Sequence, residues 1–323
     1  MNAQERQALT ARWLTDEGAA SADEVFARLV SGRPLGSLGL AEHEGRVDLR
    51  YLTAPIARRL ERFEHRGWFV SRLGDLVEFH GARLSGLDFT GASLSNLRFH
   101  DAKVLDCRFD AATCTDWRLW GTELADCEFV GGNLRNSALG TWQDDRGNAW
   151  LRIDFSRTDL RGTVMWGTSF ADCVFDGSRL DGVSFEQCAL ARCRFSGRLR
   201  RVTFDGRPLE GRRTPDPLEG IDLSGASFEE VEFLGYLLDR VALPDDPDLT
   251  LVHDFRRVSE RALDLLGDDE SRSARMLRAE LTNRLRMMRA QSEDNVLNRR
   301  DYAASAGAEF ADRALELFRR AAG

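Results

Sequence analysis

Lysine is almost missing from this chain: Lys103 is the only one in 323 residues, so nearly every cation is an arginine. The bias is most simply one of genome composition. Histidine is scarce as well. His43, His65, His80, His100 and His253 show no ligand spacing to cysteine or to one another, so no metal is expected. Apolar runs of the roughly 18 residues that cross a membrane are lacking. The segment Met1 to Thr10 is polar, without the apolar stretch of a secretion signal, so a cytoplasmic protein is expected and membrane association is not. A positive field is lacking too. With 45 Lys and Arg against 53 Asp and Glu, the net charge is −8, and direct nucleic-acid binding is not expected. Neither a phosphate-binding glycine motif nor a nucleophile elbow occurs, so neither a cofactor nor catalysis is expected. What the chain does have is 42% hydrophobic residues, enough for a folded core, and a length that allows about two domains.

The dominant pattern is a repeat of five. From Phe79, a Leu or Phe recurs at Leu84, Phe89, Leu94, Phe99, Phe109, Leu119, Leu124, Phe129, Leu134 and Leu139, with Val104 and Cys114 filling the two gaps. The series restarts at Phe155 and continues through Leu160, Met165, Phe170, Phe175, Leu180, Phe185, Leu190 and Phe195. Phe204 and Leu209 form a short piece, and Leu223, Phe228, Phe233, Leu238 and Leu243 a last run. Two residues before most centres stands a small or apolar side chain, such as Ala92, Ala102, Cys107, Cys127 or Cys173. A period of five fits neither a helix nor a flat strand. It fits a chain that turns a corner every five residues and sends two side chains of each side inward.

Stretches such as Ala92-Ser93-Leu94-Ser95-Asn96 and Thr158-Asp159-Leu160-Arg161-Gly162 resemble the pentapeptide-repeat family. The resemblance implies a mainly β fold, a right-handed quadrilateral β-helix over residues 76–245, interrupted near 140–150 and 196–220. About seven coils at the spacing of stacked strands make roughly 35 Å. Asp residues one before a centre, such as Asp88, Asp159 and Asp222, belong in that family to the turn and the solvated face. Phe79, Phe89, Phe99, Phe109, Phe129, Phe155, Phe170, Phe175, Phe185, Phe195, Phe228 and Phe233 form the expected structural core. All six cysteines fall on the inward lattice, where they are expected to pack as reduced, buried side chains.

The flanks read as helical caps, which a solenoid needs at its ends. In residues 1–75, Leu9 and Trp13 mark one helix. Ser21 and Glu24 make a capping box for a second that Gly32 stops, and Pro55 opens a third carrying Ile56, Leu60 and Phe63 up to Gly67. Val47 and Leu49 allow a short extended segment. Residues 246–323 predict three amphipathic helices: from about 252 to Gly267, from about 270 to 291, and one including Phe310, Ala314, Leu317 and Phe318.

Function is carried less clearly. The net acidity lies in residues 76–250, with 29 acids against 20 bases. The leading expectation is a non-catalytic scaffold that binds a protein partner. Candidate contacts are the first interruption, with Trp142, Asp144, Asp145 and Arg146, and the arginines at the second, Arg198, Arg200 and Arg201, with Arg207, Arg212 and Arg213 nearby. Trp150 and Trp166 lie beside the first interruption. An alternative follows from the resemblance to quinolone-resistance members, acidic rods that dimerise through their C-termini and act on DNA gyrase by duplex mimicry. A further alternative is a membrane-surface module using the helix with Arg272, Arg275, Arg278, Arg284, Arg286 and Arg289. Met287 and Met288 offer an apolar surface for capping or for a homodimer.

Overall fold

The computed structural model describes residues 3–54, 61–65, 68–72, 77–141, 146–209, 218–288 and 293–323. The chain divides into two compact units, 1–179 and 180–323.

In the N-terminal unit short parallel strands stack at a step of twenty residues. Phe79 pairs with Phe99 and Phe99 with Leu119, while Leu84 pairs with Val104 and Val104 with Leu124. Four sides of five residues make one turn of the chain. The corners explain the sequence: φ is positive at every fifth residue from Gly81 to Asn136. That conformation is cheap for Gly and tolerable for Asn and Asp, which is why those residues hold nearly all of these places. Asp side chains brace the turns by accepting the N–H two residues on, as Asp154 does from Ser156 at 2.8 Å and Asp159 from Arg161 at 3.3 Å.

The centres point inward and stack along the coils. Phe79 and Phe99 lie 4.9 Å apart, Phe109 and Phe129 4.7 Å, and Phe155 and Phe175 4.9 Å, all nearly parallel. The eight centre phenylalanines of this unit, Phe79, Phe89, Phe99, Phe109, Phe129, Phe155, Phe170 and Phe175, are buried. Cys107, Cys114, Cys127 and Cys173 are buried free thiols. Burial pushes the Cys107 and Cys114 thiols well above their ordinary pKa, so they are poor nucleophiles.

Several expectations are corrected here. Asp88 is not on a solvated face: its side chain is fully buried, accepting from the Thr90 N–H at 2.9 Å and lying 2.7 Å from His43 Nδ1. The extended segment at Val47 belongs to the stack. Val47 pairs with Leu87, Thr53 bridges Ser93, and Leu49, Leu52 and Ala54 are buried. Since Leu49 N–H donates to Asp88 O, the chain makes one coil plus twenty further residues between them. Those extra residues contain an antiparallel hairpin, Glu61–His65 with Trp68–Arg72, where a helix through Phe63 was expected. Pro55, Ile56, Leu60 and Gly67 lie outside the described residues. Helix α1 is Ala3–Ala11 and α2 is Asp16–Ser31. Thr15, not Ser21, caps α2, accepting the Gly18 N–H at 3.0 Å, and Gly32 ends it at φ 67°. Gly18 is required there, because a Cβ would stand 1.8 Å from Arg12 O.

In the C-terminal unit Phe185 pairs with Phe204 and Phe204 with Phe233, steps of nineteen and twenty-nine residues. Phe185, Phe195, Phe204, Phe228 and Phe233 are buried, as are Cys188 and Cys193. Four helices follow rather than three: α3 Phe255–Leu266, α4 Arg272–Met287, α5 Arg299–Ala306 and α6 Ala308–Ala322. Val258, Ala262, Leu277, Leu281, Ala314 and Phe318 share one core. A two-stranded antiparallel ribbon, Leu249–Val252 with Asn295–Asn298, was not expected; all four residues of its second strand are buried. Among the described residues no helix is long and apolar enough to cross a membrane.

One buried carboxyl yields a pH prediction. Burial raises the Asp110 pKa to about 6, although its Oδ1 accepts the Val130 N–H at 2.9 Å. A carboxyl whose folded pKa is raised favours the fold while protonated. Stability is therefore lost as pH rises from the ordinary carboxyl range through about 6. Asp110→Asn keeps the acceptor and removes the charge. After discounting for partial exposure, we expect on the order of 1 kcal/mol of added stability at pH 8 and a flatter profile between pH 4 and 6, read by urea unfolding.

Candidate partner-binding surfaces

Parallel stacking repeats the outward positions as it repeats the inward ones, so exposed side chains form columns. Ser95 and Thr115 hydrogen-bond at 2.8 Å, Lys103 pairs with Glu123 at 2.9 Å, and Arg108 with Glu128 at 3.1 Å. The most distinctive column is aromatic. The His80 and His100 rings stack at 4.5 Å and 6°, and His100 stacks on Trp120 at 4.4 Å and 8°. Sequence reasoning missed this column because it sought histidine spacings of a few residues. The signal was present as a separation of twenty, one coil.

At the first interruption the register shows six extra residues, since Leu124 pairs with Trp150 and Ala138 with Val164. Trp150 takes a centre position, fully buried, with its Nε1–H donating to Leu139 O at 3.2 Å. Trp166 is partly exposed on its strand. Arg146 is exposed and donates to Asp101 Oδ1 at 2.8 Å. Trp142, Asp144 and Asp145 lie outside the described residues.

In the C-terminal unit the arginines of the second interruption meet carboxylates from the neighbouring coil. Arg198 and Arg200 both bind Glu229, Arg200 at 3.1 Å, and Arg200 also lies 3.5 Å from Asp181. Arg198 and Arg200 thereby lower the Glu229 pKa, and Glu229 raises that of Arg198. Arg207 pairs with Asp205 at 2.6 Å. Arg201 is exposed and borders a cleft of about 470 Å³ with Glu230, Glu232, Glu280, Arg284 and Tyr302. The polar groups there are largely satisfied by one another: Tyr302 donates to Glu280 at 2.9 Å, and Asp301 accepts the Glu230 N–H at 2.9 Å. Met287 is 55% exposed at the edge of a second cleft with Leu234, Phe255 and Met288. Arg212, Arg213 and Arg289 are not among the described residues.

Coils of short parallel strands, with centres inward and columns outward, define a repeat scaffold. Residues 76–109 and 153–197 match the family model for pentapeptide repeats, in eight copies, so these two stretches carry pentapeptide repeats. Among solved structures, a trypsin-treated form of QnrB1, a plasmid-mediated fluoroquinolone resistance protein, is 19% identical. That match covers 48% of this chain and 82% of QnrB1, with a TM-score of 0.30. A pentapeptide repeat protein (Rfr23) from the cyanobacterium Cyanothece 51142 is 12% identical over 51% of this chain and 90% of its own, with a TM-score of 0.16. No curated protein matches the sequence.

Proposed function

We propose that this chain is a non-catalytic scaffold, wound right-handed in about seven coils at the strand spacing, that binds another protein through its outward faces. The observation that carries the reading is the aromatic column of His80, His100 and Trp120. Trp120 stacks on His100 at 4.4 Å, which narrows its rotamers before any partner binds, and a Trp is a common anchor of protein interfaces. The buried cysteines offer no accessible nucleophile to set against it. Affinity capture from the native cell with the full chain and with Trp120→Ala tests the proposal. The expected result is a partner enriched by the wild type and reduced about tenfold or more by the variant, the size of a loss at an interface anchor. Absence of any enriched partner, or equal recovery with the variant, overturns it.

A second reading, modulation of DNA gyrase by duplex mimicry, is favoured by the acid excess of residues 76–250. Against it, acids in both units are tied to arginines, as Asp126 is to Arg152, Asp159 to Arg161, and Asp205 to Arg207. In a supercoiling assay with a quinolone present, mimicry requires that added protein change gyrase activity or its inhibition; no change ends this reading.

A further inference from the structure

Glu78 and His80 are two residues apart on the strand Glu78–His80 and so share its outward face. His100 is the register partner of His80 on the next strand. One ligand atom from each of the three lies within 4.8 Å of the other two, and His80 Nε2 stands 3.0 Å from Glu78 Oε2. The His80 side chain is 64% exposed and that of Glu78 39%, so the cluster is open to solutes.

The geometry points to a surface site for a divalent transition metal of the zinc class, held by Glu78, His80 and His100. Two imidazole nitrogens and a carboxylate form a donor set suited to Zn²⁺, Ni²⁺ or Cu²⁺, whereas Ca²⁺ and Mg²⁺ take oxygen ligands. Three protein ligands leave a coordination position for water. The fold supplies most of the organisation. The His100 strand is paired on both sides, to the strands of Phe79 and Leu119, so the two histidine backbones are fixed side by side. The metal-free rings lie parallel, at 6° with centroids 4.5 Å apart, so their in-plane lone pairs lie in two separate parallel planes. One ion cannot stand in line with both, so binding turns His80, the more exposed ring, out of the stack. Ligation and stacking thus compete for the same side chain, and Trp120 is the adjacent ring in that stack.

The test is calorimetric titration of Zn²⁺ into the untagged full chain, stripped of metal by chelation, at about pH 7.5, where free imidazole is neutral. The expected result is one Zn²⁺ per chain. Affinity should fall at least about tenfold in His80→Gln and in His100→Gln, as expected for loss of a ligand, with circular dichroism unchanged. His253→Gln, on the C-terminal unit, is expected to bind as the wild type does. No uptake at millimolar Zn²⁺, or equal affinity in His100→Gln and the wild type, overturns the site.

Discussion

Phe109→Asp is expected to abolish cooperative folding of the N-terminal unit, seen as loss of the near-ultraviolet circular dichroism signal and of a thermal transition. Phe109 is 2% exposed and lies between Phe89 at 5.3 Å and Phe129 at 4.7 Å, with Trp117 edge-on at 5.5 Å. Removing a buried Phe costs about 3–5 kcal/mol. An unpaired carboxylate in that column adds several kcal/mol more, or takes up a proton at comparable cost. The sum reaches the whole stability of an ordinary domain, about 5–15 kcal/mol. Stacked repeats also share their core only with their neighbours, so a failed centre deprives the coils on both sides of their contact. Phe109→Leu is the control, expected to keep the fold at a cost of roughly 1–2 kcal/mol. A folded Phe109→Asp variant would show that this position is not a core centre.

The centre series was legible because it rests on one local rule. Every corner demands a positive φ, every side buries a large centre, and both leave residue types at fixed intervals, as in Gly91, Leu94, Asn96, Phe99 and Asp101. Where the interval changed, the rule hid its own continuation. Trp150 and Leu199 are buried centres that the sequence series passes over: Trp150 follows six extra residues, eleven after Leu139, and heads the restarted series five before Phe155, while Leu199 arrives one residue early, four after Phe195. The helix expected through Ile56, Leu60 and Phe63 came from a spacing that a helix permits. Local antiparallel pairing instead places Phe63 opposite Val70 in a hairpin. Asn295-Val296-Leu297-Asn298 has no periodic signature at all; it is buried because of what it covers. The candidate surfaces were less legible still. Arg198 looks like part of a cationic patch until Glu229, thirty-one residues away, is brought beside it. The pairing of His80 with His100 required coil spacing to be applied to polar residues as well as to apolar ones.

That buried segment carries the second large effect, because of how a parallel stack ends. Within the C-terminal unit the Arg201 and Gly206 N–H groups donate to Glu229 O and Leu234 O of the neighbouring coil. Twenty-nine residues later, the equivalent donors are Glu230 and Gly235, and no further coil offers them carbonyls. Carboxylates take that place: Glu230 N–H donates to Asp301 Oδ2 at 2.9 Å and Gly235 N–H to Glu293 Oε2 at 2.8 Å. Asp294 accepts from Leu238 N–H at 2.9 Å and from Asp254 N–H at 3.2 Å, while Asn298 donates to Phe228 O at 2.9 Å. Asp294 is 3% exposed, so Asp294→Ala orphans the buried Leu238 N–H and takes the acceptor from the half-buried Asp254 N–H. At about 1–3 kcal/mol for each orphaned buried group, the expected loss is about 2–5 kcal/mol, with early exposure of the last coil to limited proteolysis. The amide variants separate acceptor from charge. Burial raises the pKa of both Glu293 and Asp301, so ionisation opposes folding as pH rises above the ordinary carboxyl range. Glu293→Gln keeps the oxygen that Gly235 needs and removes that cost, and it is expected to be as stable as the wild type, or more so, at pH 7.5. Glu293→Ala is expected to lose about 1–3 kcal/mol. If urea unfolding finds Gln as damaging as Ala, then charge, and not a substitute for the missing carbonyls, holds this end closed.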